Sequence, residues 1–232
     1  MADGYAETGI RRFSDALVCM PHQNRVDPFG DLIATPERGT LYGNRGCLVD
    51  SSGKIARQFK EIRWIICVLD FKGRRHPMMA PGRYTGLFFL DEVTALAAGH
   101  RPCAECQRDR FNLFRSYWAT ANPALSRSDK PLAPVIDTVL HKERIGSRNL
   151  CNSIDDLPDG TFVTNDGVNA YLVWKKNLFL WTPGGYLKAK RTDVGFFPAK
   201  VLTPPSIVRS FAAGYPMTVH PSVGERYRFL KD

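Results

Sequence analysis

The sequence predicts an α+β protein on three observations. Short runs rich in β-branched and aromatic residues, broken by Gly, Pro and Asn, precede residue 90; helical periodicity fills 91–145; a second set of short runs follows residue 157. Residues 1–38 mix charge, Gly and Pro around Asp27-Pro28-Phe29-Gly30 with little periodicity, and are expected to form an N-terminal extension. From Gly39, Thr40-Leu41-Tyr42 and Cys47-Leu48-Val49 flank the turn-forming Gly43-Asn44-Arg45-Gly46, as short strands joined by a turn do. Arg63 to Phe71 carries apolar side chains on both faces, the pattern of a central strand, and Lys72-Gly73-Arg74-Arg75-His76-Pro77 ends it as a basic turn. Tyr84 to Leu90 is expected to be a further strand.

Asp91 to Gly99 holds the signals of a short helix: Asp91 to cap, Glu92 in the first turn and Gly99 as the left-handed stop. A longer helix spans 108–121, because Phe111, Phe114, Trp118 and Ala121 recur on one face before Asn122-Pro123. Residues 123–134 read as a loop and 134–145 as a third helix. Beyond Leu157, turns at Pro158-Asp159-Gly160, Asn165-Asp166-Gly167 and Lys175-Lys176-Asn177 separate the strands of an antiparallel meander. Thr203-Pro204-Pro205-Ser206 opens a final helix that Gly214 follows. The expected units are 1–38, 39–150 and 151–232.

The chain has 232 residues, with 32 Lys+Arg against 23 Asp+Glu, so it carries +9. That surplus favours polyanionic partners such as nucleic acid. Hydrophobic residues at 44% and charged residues at 24% are globular proportions and argue against wholesale disorder. No apolar window is long enough for a membrane helix and Met1-Ala2-Asp3-Gly4 lacks the basic start of a signal peptide, so the expectation is a cytoplasmic protein with no membrane partner. Six cysteines are too sparse for a disulfide scaffold; of them only Cys103 and Cys106 are close enough to suggest joint chemistry.

Residues 88–107 read Phe-Phe-Leu-Asp-Glu-Val-Thr-Ala-Leu-Ala-Ala-Gly-His-Arg-Pro-Cys-Ala-Glu-Cys-Gln. This segment resembles the N-terminal metal-binding domain of the Ada-type DNA methylphosphotriester repair proteins, which carry a strand ending in aromatics, an Ala-rich short helix and then Gly-aromatic-Arg-Pro-Cys-x-x-Cys-Gln. The resemblance covers about residues 71–107. It implies an Ada-like α/β metal-binding element, here with added helices and followed by a small antiparallel β-meander with a helix. It also implies a four-ligand zinc site in which Cys103 and Cys106 form one half.

In the family the other half is an upstream Cys-x-x-x-Cys. A gapless extension puts Lys72 and His76 on those two positions; His76 is an acceptable zinc ligand and a protonated lysine is not. Cys67, Asp70, His100 and His141 are the candidates for the remaining ligand. The family's methyl transfer needs a zinc-bound thiolate where Lys72 stands, so methyl-acceptor activity does not carry over.

Two further clusters suggest function. Eight Lys/Arg (54, 57, 60, 63, 72, 74, 75 and 83) face only Glu61 and Asp70 across 54–83, a stretch suited to phosphates; Lys72, Arg74 and Arg75, with Arg101 as a forked donor, are the candidate nucleic-acid contacts, DNA more than RNA. Asp137 and His141 lie four apart on the third helix with Arg144 beyond them, and Glu143 is adjacent. These groups can orient a histidine for general acid-base work, or form an ordinary charged helix face. The leading expectation is a zinc-binding, nucleic-acid-associated protein of the DNA repair or modification type. The alternatives are a hydrolase or nuclease using Asp137, His141 and Glu143 beside a structural Cys site, and a protein-interaction module whose charge is incidental.

Overall fold

A computed structural model of the chain describes residues 20–73, 78–189 and 197–224. Its helices and two sheets make it an α+β protein, as the pattern of the sequence predicts. The first sheet is built from β1 (Gln23–Val26), β2 (Leu32–Ala34), β3 (Leu41–Asn44), β4 (Ile65–Cys67), β5 (Leu87–Phe89) and β6 (Arg101–Pro102). Their spatial order is β2-β1-β5-β3-β4-β6, with β1–β5 and β4–β6 parallel and the other pairs antiparallel. Residues 23–34, expected to be irregular, form the β1–β2 hairpin, and Val26 and Leu32 are buried in the core. Strands of three or four residues are too short for their alternation to stand out from a loop.

Helix α1 (Glu92–Ala97) is capped as expected: the Asp91 carboxylate accepts the Thr94 amide at 2.9 Å, and Gly99 adopts φ +79. Helix α2 (Arg108–Ala121) buries Phe111, Phe114 and Trp118 on one face. The expected loop after it contains one turn of helix, α3 (Pro123–Ser126), before α4 (Ala133–Ile145); α5 (Pro205–Ala212) closes the helical set.

The second sheet comprises β7 (Leu150–Cys151), β8 (Phe162–Thr164), β9 (Tyr171–Trp174), β10 (Asn177–Thr182), β11 (Gly185–Lys188) and β12 (Ala199–Val201). The strands lie in the order β11-β10-β9-β8-β12-β7, all pairs antiparallel. Strands β8 to β11 form the meander; β11 extends it beyond the three strands the turn signals mark.

The sheets divide the chain near residue 150, and the packing runs across that line. Every residue of α1 is buried, because the helix lies between the two sheets. Ala95 and Leu96 join Ile66, Phe89 and Trp118, and the same core takes Ile207, Phe211 and Tyr215 from the C-terminal part. Val93 and Ala97 pack instead with Phe162, Leu172 and Phe179 of the second sheet. An Ala-rich helix with no polar face is what this position requires.

The pairing of β3, β4 and β6 sets up two faces of the first sheet. Gly43 and Ile66 are opposite one another, and Ile66 is buried in the core. A side chain at Gly43 would lie 2.7 Å from Cε2 of Phe89, so glycine allows that ring to cross. By strand alternation the residues on either side, Tyr42 opposite Cys67 and Asn44 opposite Ile65, point to the other face, and Arg101 joins them through its pairing with Ile65. That second face carries the site.

Candidate metal centre and adjoining cleft

Three cysteines converge there. Cys67 ends β4, Cys103 directly follows β6, and Cys106 lies one turn further on, just before α2. The Cys103 amide donates to the Ile66 carbonyl at 2.8 Å and the Gln107 side chain donates to the same oxygen at 2.9 Å, which fixes the Cys-x-x-Cys turn against the end of β4. The three sulfur atoms all lie within 4.8 Å of one another. All three cysteines are free and half-buried.

The electrostatics favour a thiolate at the centre of the group. A hydrogen bond from the Cys67 thiol brings Cys103 down to about 5, helped by the backbone amides of Cys106 and Glu105, the latter 3.4 Å from the Cys103 sulfur. The same bond pushes the Cys67 thiol up, since its proton is the one being donated, and burial raises Cys106. A divalent ion entering the group displaces the two remaining protons, so affinity falls with acidity. The donor set can hold a metal ion: thiolates suit zinc and other soft or borderline ions, and a tetrahedral zinc with Zn–S of about 2.3 Å spaces its sulfurs about 3.8 Å apart.

No fourth Cys, His, Asp or Glu among the described residues joins these three. Asp70 is exposed, and its carboxylate accepts the Gly73 amide at 3.3 Å. His100 is fully buried on the opposite side of the sheet, where Nε2 accepts from Arg45 at 3.1 Å and Phe89 lies edge-on at 4.7 Å. His141 packs edge-on against Phe59 at 5.3 Å. His76, Arg74 and Arg75 lie outside the described residues. Cys67 is thus the third sulfur, from a strand the gapless extension of the Cys-x-x-Cys segment does not align with a ligand.

The cysteines open onto a cleft of about 660 Å³ that is also lined by Tyr42, Asn44 and Arg101 of the first sheet, by Pro134 and Asp137 of α4, and by Arg63 and Tyr84. Arg101 does not reach out to phosphate, as the sequence suggests it would. It is buried, and its Nε and Nη2 fork onto the two oxygens of Asp137 at 2.9 and 2.8 Å while Nη1 donates to the Pro102 carbonyl at 3.0 Å. Asp137 is therefore committed to Arg101 and not to His141. The nearest charged partner of the His141 ring is Arg144, 3.4 Å from Nδ1. Glu143 turns the other way, accepting the Ser206 amide at 3.0 Å and the Ser206 hydroxyl at 2.6 Å. The structure does not bring Asp137, His141 and Glu143 together as an acid-base group.

Arg144 has a structural task. Its guanidinium donates to the carbonyls of Gly99 and Ile62 at 2.6 and 2.7 Å and lies 4.1 Å from the centre of the Trp64 ring, with Arg45 at 3.8 Å from the same centre. Both guanidinium groups are within cation–π range of the one indole. Lys54, Arg57, Lys60, Arg63, Lys72 and Arg83 are all exposed, and Arg63 lines the cleft; among the described residues of 54–83 the acids are Glu61, paired with Arg63 at 2.9 Å, and Asp70. Among the described residues no helix is long and apolar enough to cross a membrane. No protein-family model matches the chain, and neither does any curated protein or solved structure.

Proposed function

We propose that this chain is a zinc protein that associates with nucleic acid, DNA rather than RNA, in repair or modification and without methyl-acceptor activity. The observation that carries the reading is the meeting of Cys67 with the Cys103–Cys106 pair, since a third thiolate from a distant strand is what a Cys-x-x-Cys turn needs to become a metal centre. The exposed basic residues of 54–83, of which Arg63 lines the same cleft, supply the second half. The resemblance of residues 88–107 to the Ada-type segment supports both, and the lysine at position 72 speaks against methyl transfer.

The purified protein is expected to carry one equivalent of zinc that Cys103→Ser abolishes, that Cys67→Ser holds more weakly and that His141→Ala leaves in place. It is expected to bind DNA with an affinity that falls as salt rises. The double charge reversal Lys60→Glu/Arg63→Glu is expected to weaken that binding for all sequences and flatten the salt slope by roughly two phosphate contacts. Protein free of zinc with its thiols intact, or DNA binding indifferent to salt and to this variant, would overturn the reading.

A further inference from the structure

We propose that the cleft beside the cysteines receives one unpaired nucleobase, with Asn44 reading its hydrogen-bonding edge and Tyr84 stacking on its face. This deepens the nucleic-acid reading above and rests on it. The first observation is Asn44. It is only 9% exposed, it lines the cleft, and its side-chain amide has no hydrogen-bond partner among the described residues. Side-chain amides of residues this buried are ordinarily paired within the protein, whereas the Asn44 amide is reached only from the cleft side and is not among the groups shut off from solvent. An unpaired one facing a cavity points to a ligand that completes it.

The chemistry of that ligand follows from the group. A carboxamide presents one donor and one acceptor side by side in a plane, and the complementary edge is a planar one with an adjacent acceptor and donor, as adenine offers. The second observation is Tyr84, whose ring lines the same cleft yet is 51% exposed, as a stacking platform at a mouth is. The third is charge: Arg63 lines the cleft beside Tyr84, and the exposed Lys72 and Arg83 directly follow and precede the lining residues Phe71 and Tyr84, where they can meet the phosphates flanking an inserted base. A cleft of about 660 Å³ accommodates a base with its sugar and leaves space for the strand to enter and leave. Arg101 and Asp137 satisfy one another and are not available to the base, so Asn44 is the group that selects.

The test uses the full chain and short single strands of abasic residues carrying one central adenine, one central thymine or no base at all, with binding followed by fluorescence anisotropy. Wild type is expected to favour adenine over thymine by roughly 5- to 150-fold, the range of one good two-point contact, and to bind the abasic strand more weakly than either. Asn44→Leu is expected to erase the preference for adenine over thymine while leaving salt-dependent binding. Tyr84→Ala, at an exposed position that does not threaten folding, is expected to weaken both base-containing strands toward the abasic value. Equal affinity of wild type for all three strands, with salt dependence intact, would overturn this inference and leave the nucleic-acid reading standing. No binding to any strand would overturn both.

Discussion

Replacing Arg101 with Met is expected to destabilise the protein by about 3–5 kcal/mol and to lower its melting temperature by about 6–20 °C. The reason is the Asp137 carboxylate, which is 5% exposed and accepts two charge-assisted bonds from a guanidinium that is 3% exposed. Removing the cation leaves a buried anion with no partner, and that desolvation exceeds the net worth of the pair. Asp137→Leu is expected to cost a similar amount for the converse reason. The double variant Arg101→Met/Asp137→Leu, with neither charge left behind, is expected to recover most of the loss. Urea or thermal unfolding of the four proteins measures the coupling; single variants within about 1 kcal/mol of wild type would show that the pair is not the brace between β6 and α4 described above. Because Cys103 directly follows β6, the single variants are also expected to weaken metal binding.

The second large effect is expected at Glu92, at the start of α1. Its buried carboxylate receives the Tyr215 hydroxyl at 2.7 Å, the Thr218 amide and hydroxyl at 2.8 and 3.0 Å, and both Nε and Nη2 of Arg110. These bonds tie residues 215–218 to α1 and α2, and Arg110 strengthens the tie by donating to the Pro216 carbonyl at 2.7 Å. Glu92→Ala is expected to cost about 3–5 kcal/mol, since five donors lose their acceptor at once. Glu92→Gln keeps the shape and is expected to cost about 1–3 kcal/mol, because an amide nitrogen then faces donors it cannot accept from. Arg110→Ala is expected to cost less than Glu92→Ala, as the arginine is 22% exposed and water can reach the vacated carboxylate. A Glu92→Ala protein as stable as wild type would contradict the role of this carboxylate as the clasp of the C-terminal segment.

Local patterns in the sequence reach some of this and miss the rest for identifiable reasons. The span of α2 follows from Phe111, Phe114 and Trp118, and the ends of α1 follow from Asp91 and Gly99, because caps and periodicity are written within a few residues. The strand expected over 63–71 is only Ile65–Cys67: residues 68–71 leave the sheet and Val68, Leu69 and Phe71 line the cleft, with Leu69 and Asp70 exposed, and an apolar run does not by itself separate a strand from a cleft wall. Asn44, placed in a turn by its Gly-rich neighbours, completes β3.

The site divides in the same way. Cys103 and Cys106 are legible as a pair because they are close in sequence. Cys67 comes from a strand across a long intervening segment, and only the parallel pairing of β4 with β6 brings its sulfur to theirs. Asp137 lies within helical reach of His141, and the local pattern joins them; the buried guanidinium of Arg101, from another element, is the stronger partner and takes the carboxylate instead.

X-ray absorption at the zinc edge of the purified, metal-loaded protein tests the central claim most directly. Three sulfur neighbours at about 2.3 Å, falling to two in Cys67→Ser, are the predicted result. A first shell with two sulfurs in wild type, unchanged by Cys67→Ser, would contradict a three-cysteine centre.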